Sequence, residues 1–316
     1  MIVCEGFSPE TNTLPKQPLL IWLIGSKGML GTEISLLLEK TGLPFVSTDS
    51  EVDITDTAAL ERFAQKHPAD WIINCAAYTA VDRAEDEIET CRRVNTLGAA
   101  NIAASAKNAG ARLIHLSTDY VFDGKGIAEG TGLRPYREDD AAAPACVYGL
   151  TKRDGELAVI EKNPRSYIIR TAWLYGKYGN NFVHTMLRLM NERDEVKVVD
   201  DQRGSPTWAV DLALAVLTVI KAVDSGKDIP FGIYHYTNEG DITWFNFAQE
   251  IYRQGRGQGR IARNCVVKPC TSAEFPAKVT RPAYSVLDKS KIKAALGIDI
   301  PVWDASLREF LKSCVA

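Results

Sequence analysis

Residues 19–31 have the sequence LLIWLIGSKGMLG, and the class of fold follows from this segment. Leu19 to Ile24 form an apolar run of strand length, and glycines follow at Gly25, Gly28 and Gly31 as an apolar pattern of helical period begins. Glycines at a strand-to-helix turn permit a tight bend and let backbone N–H groups approach a pyrophosphate. The stretch therefore predicts a dinucleotide site rather than a purely structural turn. Its candidate contact residues are Gly25, Lys27, Gly28, Met29, Leu30 and Gly31.

Apolar runs of strand length and helical stretches continue to alternate up to about residue 193. They predict strands at 45–47, 71–73, 113–116 and 167–170, separated by helices. This is the pattern of βαβ units that build a parallel sheet. Because the alternation weakens further along, we predict an α/β fold with two parts. The first is a Rossmann-type doubly wound parallel sheet, and the second is a smaller discontinuous α/β substrate lobe.

The same pattern suggests where the domains begin and end. Residues 1–18 contain prolines and polar residues, and we expect a flexible N-terminal extension there. The stretch 253–263 alternates arginine with glycine and predicts a solvated loop, with contact to a substrate phosphate as the alternative. The predicted bounds are 19–172 plus about 206–236 for the dinucleotide-binding domain, and 173–205 plus about 237–316 for the substrate domain.

Composition excludes several classes of partner. The chain has 37 lysines and arginines against 40 aspartates and glutamates, which gives a net charge of -3 and no global positive field for nucleic acid. No apolar run approaches the ~18 residues of a membrane span, so we predict no membrane partner. The seven cysteines are odd in number and include no C-x-x-C pair. They predict reduced thiols, a cytoplasmic protein and no metal site.

Two charged residues near the glycine turn give opposite indications about the cofactor. Asp49 follows the second predicted strand, where a carboxylate accepts hydrogen bonds from an adenosine ribose and repels a 2′-phosphate. This favours NADH. Lys27 lies in the turn itself, and its ammonium favours the 2′-phosphate of NADPH. These two residues therefore leave the choice of nicotinamide cofactor open.

Tyr148 and Lys152 are the sharpest chemical feature, because they lie four positions apart on a predicted helix and face the same way. A nearby cation lowers the pKa of a tyrosine from its usual value of about 10, toward the range in which a phenol transfers protons. Thr118 follows the strand before that helix and supplies a hydroxyl that can hold a carbonyl oxygen. These features occur in the order that a short-chain dehydrogenase/reductase requires.

Longer segments of the chain resemble the dTDP-4-dehydrorhamnose reductase family, a group of extended short-chain reductases. The resemblance covers almost all of the chain from Leu19 onward. AAYTAVD at 76–82 and STDYVFDG at 117–124 are far more specific than a generic reductase pattern. Further matching segments are DITD at 53–56, YGLTK at 148–152, RTAWLY at 170–175, GNNF at 179–182, DQRGSPT at 201–207, and RP at 281–282 with SVLD at 285–288.

The resemblance implies that the chain reduces the C4 ketone of dTDP-4-dehydro-6-deoxy-L-mannose to dTDP-L-rhamnose, with hydride from NADPH or NADH. It implies Tyr148 as proton donor, Thr118 as the group that holds the oxygen, and Lys152 as the residue that binds the nicotinamide ribose and lowers the tyrosine pKa. With Asp49, the cofactor contacts outside the glycine turn are Asp53, Ile54, Ala76, Ala77, Tyr78 and Lys152. The implied substrate contacts are Val81, Asp82, Asp119, Tyr120, Trp173 and Arg281, the last for the diphosphate.

Metal binding and assembly are less determined by the resemblance. Some members of the family form a Mg²⁺-linked dimer through glutamates, one of which matches Glu33, but the other position is Val210 here. We therefore expect no Mg²⁺ site and leave a homodimer open.

Two alternative functions remain. One is a nucleotide-sugar epimerase or dehydratase of the extended short-chain class, with tightly bound NAD. A dehydratase of that kind has Thr-Asp-Glu where this chain has Thr118, Asp119 and Tyr120, so the acid that would eliminate water is missing at that place. The other alternative is a non-enzymatic, NADP-binding regulatory subunit that has kept the fold.

Overall fold

A large sheet flanked by helices and a smaller second lobe make up the chain in this computed structural model, which describes residues 19–275 and 277–313. The predicted extension 1–18 lies outside the described residues. The strands are β1 (Ile21–Ile24), β2 (Phe45–Thr48), β3 (Trp71–Asn74), β4 (Arg112–Thr118), β5 (Ile127–Glu129), β6 (Gly132–Arg134), β7 (Ser166–Thr171), β8 (Leu174–Tyr175), β9 (Glu195–Val199), β10 (Arg203–Gly204), β11 (Thr207–Trp208), β12 (Gly232–His235), β13 (Ile242–Thr243) and β14 (Val266–Cys270).

Helices connect these strands and complete both lobes. They are α1 (Met29–Thr41), α2 (Thr57–Lys66), α3 (Val81–Ala84), α4 (Ile88–Arg92), α5 (Ala99–Asn108), α6 (Val147–Lys162), α7 (Phe182–Glu192), α8 (Ala209–Asp224), α9 (Trp244–Gly257), α10 (Ser290–Leu296) and α11 (Trp303–Ser313). A π-helical turn, Arg93–Gly98, joins α4 to α5, and a 3₁₀ turn, Asp119–Val121, follows β4.

The large sheet has six parallel strands in the order β12-β7-β4-β3-β1-β2. The chain first moves outward from β1 to β2 and then returns past β1 to β3, so the strand order reverses between β1 and β3. Ligands of open α/β sheets bind at such a reversal, beyond the carboxyl ends of the strands. The glycine turn after β1 and residues 75–78 after β3 both lie at this place.

Helices cover both faces of the sheet, which confirms the predicted doubly wound α/β fold. On one face, α1, α8 and α10 bury Ile34, Leu38, Val216 and Ile292 against the strands. On the other face, α2, α5 and α6 contribute Leu60, Ile102 and Val159. Strand residues such as Ile21, Trp22, Leu23 and Ile24 are fully buried because each side of the sheet has its own layer.

The second lobe has its own apolar core, built from pieces that are distant in sequence. Helices α7, α9 and α11 pack with the parallel pair β9 and β14. The predicted domain bounds stay a prediction, but one element departs from them. Helix α10 lies within the range assigned to the substrate domain, yet it packs on the large sheet because Ile292 and Leu296 join that core.

One local prediction was wrong. The stretch 253–263 was expected to be a loop, but its first residues complete α9 up to Gly257. Gly255 is buried there, and a Cβ at this position would lie 2.9 Å from Ile261, so the glycine allows close packing inside a helix. The long helix expected at about 87–108 is present as a continuous helical run from Ile88 to Asn108, and a π-helical turn lies within it. Over the described ranges, no helix is both long and apolar enough to cross a membrane.

The two glycines Gly31 and Gly28 should differ in their tolerance of alanine. A Cβ at Gly31 would lie 2.1 Å from the Gly25 carbonyl oxygen, whereas at Gly28 the same atom would lie at an ordinary 3.4 Å. We expect Gly31→Ala to lower the free energy of unfolding by about 2 kcal/mol or more, because backbone has to move. Gly28→Ala should cost less than about 1 kcal/mol. Denaturant unfolding measures the stability of both variants. Equal losses would contradict the inference that only Gly31 is packed too closely for a Cβ.

Candidate active site

The glycine turn forms a cradle at the start of α1 that fits a phosphate group. Gly25 has a φ of +78°, and a Cβ there would lie 2.6 Å from the backbone nitrogen of Ala76. The N-cap residue Gly28 has no side-chain cap, and the first turn has no acidic residue. No side chain therefore competes with an anion for the first N–H groups of α1. Leu30 points into the core, so only its backbone can face a cofactor.

Asp49 and Lys27 lie together at this cradle. The Asp49 carboxylate accepts hydrogen bonds from the backbone N–H of Lys27 at 3.0 Å and of Ser50 at 2.9 Å. The Lys27 ammonium is mostly exposed and lies 3.5 Å from Glu51, a residue that the sequence did not single out. The Asp49 carboxylate thus already accepts a hydrogen bond from the glycine turn. The Lys27 ammonium is held only by an exposed ion pair, which contributes little to stability.

The other predicted cofactor contacts border the same edge of the sheet. Asp53 accepts a hydrogen bond from the Thr55 N–H at 2.8 Å, and Ile54 is buried beneath Gly98. Residues 76–78 follow β3, with Ala77 half-buried between two anchored neighbours. The Ala76 N–H donates to the Asn74 side chain at 3.0 Å, and the Tyr78 N–H donates to the Asn95 side chain at 2.8 Å.

The three predicted catalytic side chains come together at the carboxyl end of β4. Thr118 is the last residue of β4, and Tyr148 and Lys152 lie on the first turns of α6. The Thr118 hydroxyl donates to Asp119 at 2.9 Å and is also within hydrogen-bonding reach of Tyr148. The Lys152 ammonium donates to the Leu116 carbonyl at 2.7 Å. The Tyr148 ring packs edge-on against Tyr120, with centroids 5.5 Å apart.

Burial controls the protonation of Tyr148 and Lys152. It raises the pKa of Tyr148 well above its ordinary value, and the hydrogen bond with Thr118 offsets only part of this effect. Burial also lowers the pKa of Lys152 to about 8, against the influence of Glu156 and two thiols. We expected Lys152 to lower the pKa of Tyr148, but in this structure burial raises it. The phenol is protonated at neutral pH, which is the form a proton donor needs.

Asp119 is a buried carboxyl group at the same place. Burial raises its pKa to about 6, although the hydrogen bonds from Thr118 and Ser285 act in the opposite direction. One oxygen, Oδ1, accepts the Thr118 proton. The other, Oδ2, has no hydrogen-bond partner among the described residues. A buried oxygen without a partner is costly, so this atom is ready to accept a hydrogen bond from a ligand.

A cleft of about 1160 Å³ opens beside these groups, between the sheet and the second lobe. A cleft of this size can enclose a ligand at least as large as a typical small-molecule substrate. Its lining includes four predicted substrate contacts, Asp82, Asp119, Tyr120 and Trp173, together with Arg281. The remaining one, Val81, packs in the small cluster around Tyr148.

Arg281 forms hydrogen bonds with two other predicted substrate contacts, Asp82 and Tyr120. Its guanidinium donates to the Asp82 carboxylate and, at 3.4 Å, to the Tyr120 hydroxyl. The Asp82 carboxylate also accepts the Val279 N–H at 3.2 Å. These bonds tie the loop around 279–281 to helix α3. Arg281 therefore reaches the cleft with its charge already paired.

Trp173 is the strained residue of the cleft, with a φ of +48°. Its ring stacks on Trp244 with centroids 3.5 Å apart and planes within 8°. A Cβ at Gly204 would lie 2.5 Å from the same ring, so only glycine leaves room there. A side chain rarely adopts this backbone conformation unless its surroundings impose it, and such residues gather at binding sites.

Several other lining residues received no role in the sequence analysis. Lys197, Trp244 and Ser272 lie outside the segments that match the family, whereas Phe182, Gln202 and Ser285 lie within them. Gln202 belongs to the DQRGSPT segment, which matched the family but received no role, so that segment was the available signal. Trp244 begins α9, a helix that the sequence pattern did not reveal.

The structure describes no obvious metal centre. Among residues 19–275 and 277–313, no group of three or more His, Cys, Asp or Glu side chains could hold a metal ion. Glu33, the possible family ligand, is half-buried; burial raises its pKa, and Lys177 acts in the opposite direction. The expectation that Mg²⁺ is not bound stays a prediction.

Comparison with known proteins gives a consistent result over both lobes. A family model described as "RmlD substrate binding domain" matches residues 19–315. A dTDP-4-dehydrorhamnose reductase of Streptomyces griseus is 44% identical over 292 residues, covering 91% of this chain and 92% of the relative. A dTDP-4-keto-6-deoxy-D-glucose reductase of Streptomyces niveus is 38% identical over 292 residues, covering 91% and 95%. The solved structure of a dTDP-4-dehydrorhamnose reductase from Bacillus anthracis, in complex with NADP, is similar with a TM-score of 0.85 at 35% identity, covering 94% of this chain and 100% of that one.

The raised pKa of Asp119 predicts a specific dependence of stability on pH. Because the folded chain binds this proton more tightly than the unfolded chain, the stabilisation is complete below pH ~4 and is lost as the pH rises through about 6. We expect the stability of the wild type relative to Asp119→Asn to fall by up to about 3 kcal/mol between pH ~4 and ~7. Denaturant unfolding of both proteins at several pH values measures the difference.

Asp201→Asn is the matched control for this measurement. Asp201 is an exposed carboxylate of the same cleft, and hydrogen bonds from Ser272 outweigh burial and lower its pKa. Its contribution is present above pH ~4 and lost at lower pH, so its removal should give a small slope of the opposite sign. Parallel stability curves for the wild type and Asp119→Asn would show that Asp119 is not perturbed.

Proposed function

This chain belongs to the RmlD substrate binding domain family, and we propose that it reduces the C4 ketone of dTDP-4-dehydro-6-deoxy-L-mannose to dTDP-L-rhamnose with NADPH. The relatives named above are reductases of dTDP-linked keto sugars, so the substrate is a nucleotide sugar. The observation that supports the reaction most directly is the meeting of Thr118, Tyr148 and Lys152 beside the cleft. This arrangement provides a proton donor, a hydroxyl and a fixed cation around one position.

Tyr148 would protonate the sugar oxygen during the reduction. When bound, NADPH supplies a hydride to the C4 carbon, and the carbonyl oxygen then needs a proton. The phenol of Tyr148 is protonated at neutral pH because burial raises its pKa. Lys152 would hold the nicotinamide ribose, since its ammonium is fixed by the Leu116 carbonyl at the end of the sheet.

Thr118 would change its hydrogen-bond partner when the sugar binds. A hydroxyl has one proton, and in this structure it is donated to Asp119. To hold the C4 oxygen, the hydroxyl has to rotate away from Asp119. The carboxylate then loses the Thr118 bond to Oδ1, while Oδ2 already has no hydrogen-bond partner among the described residues, and sugar hydroxyls are donors that fit these positions. We assign Asp119 to the sugar on this ground.

The cradle favours NADPH, with NADH as the second choice. The Asp49 carboxylate already accepts hydrogen bonds from the N–H of Lys27 in the turn and from the N–H of its neighbour Ser50, which reduces its capacity to bind a ribose. Lys27 is exposed and held only by Glu51, which leaves its ammonium available for a 2′-phosphate. Asp53, Ile54 and residues 76–78 would border the adenine and nicotinamide ends of the cofactor.

Arg281 would bind the diphosphate by exchanging one anion for another. Its guanidinium is paired with Asp82 in the cleft, and a diphosphate offers it a stronger bidentate partner. Trp173 would contact the deoxysugar with an apolar face, while Val81, Asp82 and Tyr120 would complete the wall on the sheet side.

The wider setting follows from the same features. We propose a cytoplasmic enzyme whose partner is the nucleotide sugar, with neither nucleic acid nor a membrane as partner, on the net charge of -3 and the reduced thiols expected from the sequence. We also retain the two-domain division, with 290–296 placed by its packing in the first domain. Sedimentation would decide whether a homodimer forms.

A direct assay tests the function and its alternatives together. The protein is mixed with dTDP-4-dehydro-6-deoxy-L-mannose or with dTDP-4-keto-6-deoxy-D-glucose, and with NADPH or NADH. We expect the first sugar and NADPH to give the fastest loss of reduced-nicotinamide absorbance, with dTDP-L-rhamnose as product. Conversion of a sugar without consumption of reduced cofactor would indicate an epimerase or dehydratase. Tight NADP binding without any conversion would indicate the regulatory alternative.

Tyr148→Phe should separate proton donation from cofactor binding. The substitution removes the phenolic oxygen and leaves the ring packed against Tyr120, so NADPH affinity should stay within about twofold. Turnover should fall by at least about a hundredfold, because the proton donor is lost. Fluorescence titration and steady-state rates measure the two quantities. Tyr167→Phe is the control, because Tyr167 is a buried tyrosine on β7 bonded to the Ile229 carbonyl. Unchanged turnover in Tyr148→Phe would refute the mechanism.

A further inference from the structure

A buried ion pair lies one helical turn beyond Lys152 on α6. Glu156 accepts two hydrogen bonds from the guanidinium of Arg170, at 2.9 and 2.7 Å. The two side chains are no more than 3% exposed. Neither residue touches the cleft, and neither received a role in the proposed reaction. A pair of charges so far from solvent therefore needs an explanation.

Stability alone is a weak explanation for this pair. The cost of removing two charges from water often exceeds what their attraction returns, and apolar replacements are frequently neutral or stabilising. Arg170 is nevertheless fixed on its other sides. The Phe122 ring lies 5.0 Å from the guanidinium carbon, and His235 lies 3.4 Å from one of its nitrogens. Arg170 is thus held on three sides, by Glu156, Phe122 and His235.

The strands place the pair next to the anchor of Lys152. Arg170 lies on β7 directly opposite Ser117 of β4, and the preceding β4 residue, Leu116, accepts the Lys152 ammonium at 2.7 Å. Residues four apart on a helix lie on one face, so Tyr148, Lys152 and Glu156 form one stripe of α6. Two adjacent strands therefore anchor two successive members of this stripe.

Glu156 is the charged group that faces Lys152. The other titratable groups around the ammonium are Cys75 after β3, Cys91 on α4 and His115 on β4. Burial raises the pKa of Cys75 to about 12 and also raises that of Cys91, so both thiols are neutral. Burial lowers the pKa of His115, and the imidazole is neutral as well. Glu156, which accepts two hydrogen bonds from Arg170, supplies the compensating charge.

We propose that the buried Glu156–Arg170 pair is the positioning element that keeps the Lys152 ammonium charged and fixed at the sheet edge. Glu156 supplies the negative charge, and Arg170 holds that carboxylate in place. The inference deepens the proposed function, on which the role of Lys152 rests. The margin is small, because the pKa of Lys152 is already only about 8. A further fall of about one unit would leave roughly half of the molecules uncharged at pH ~7.

The test is the titration of Lys152 in the cofactor-free protein. The Cε resonances of isotope-labelled lysines are followed against pH by NMR, and the Lys152→Met variant assigns the signal. We expect Glu156→Gln to move the Lys152 midpoint down by about one pH unit or more, as the loss of a charge at helical i, i+4 spacing in a buried site predicts. The high-pH fall of turnover should move in the same direction, because Lys152 titrates below Tyr148.

Three further variants separate charge from fold. Glu156→Gln leaves the buried Arg170 without its counter-ion and can unfold the chain. Glu156→Gln with Arg170→Met removes both charges and should still shift the Lys152 midpoint down, but by less, because the repulsion between Arg170 and Lys152 is removed as well. Glu156→Asp retains the carboxylate and should titrate close to the wild type. Glu161→Gln removes an exposed carboxylate of the same helix and should shift nothing.

The outcomes distinguish this inference from the proposed function. An unchanged Lys152 midpoint in the folded Glu156→Gln protein, or in the double variant, overturns the inference even if the reductase assay succeeds. A downward shift that Glu156→Asp does not produce supports it, even if no sugar is reduced. A shift of equal size in Glu161→Gln would also overturn it, because a general charge effect would then be responsible.

Discussion

The geometry of the site follows from one requirement, which is that the buried ammonium of Lys152 be compensated. Lys152 is only about 2% exposed, so its charge has to be compensated by fixed dipoles and by an opposite charge. The Leu116 carbonyl and Glu156 do this here, and both require α6 to lie very close to its neighbours. Glycines make that approach possible. A Cβ at Gly149 would lie 2.1 Å from the Tyr120 oxygen, and at Gly155 it would lie 2.2 Å from the Asn95 oxygen.

Most of the first lobe could be predicted because its elements follow one period at a time. Helix α1 begins at Met29, within the glycine turn, as the sequence analysis predicts. The second lobe was less predictable because its elements are distant in sequence and are defined by their contacts with one another. Gly255 and Gly257 suggest a loop, but contact with Ile261 keeps Gly255 inside α9.

The candidate site divides in the same way. Residues that lie within a few positions of one another, such as Tyr148 and Lys152, could be paired from spacing alone. Partners from separate elements could not. Arg281 was expected to bind a diphosphate. In the structure its guanidinium already pairs with Asp82, which lies about two hundred positions earlier in the sequence. Glu156 fits the helical stripe of α6, but its importance depends on Arg170 of β7, which only the strand register brings near. Sequence spacing therefore identifies candidate groups on one element, while the partners that these groups have in the structure depend on the tertiary fold.

These internal pairs also affect how the site would select a substrate. Before any ligand enters, Thr118 donates to Asp119 and Arg281 donates to Asp82, so binding exchanges one hydrogen bond for another and gains little from each exchange. A sugar that lacks a matching group is then weakly rejected at these positions, because the protein groups return to their own partners. Asp119 Oδ2 differs, since it has no other partner among the described residues. An analogue that leaves this oxygen unpaired keeps the full cost of its burial, and discrimination should therefore concentrate there.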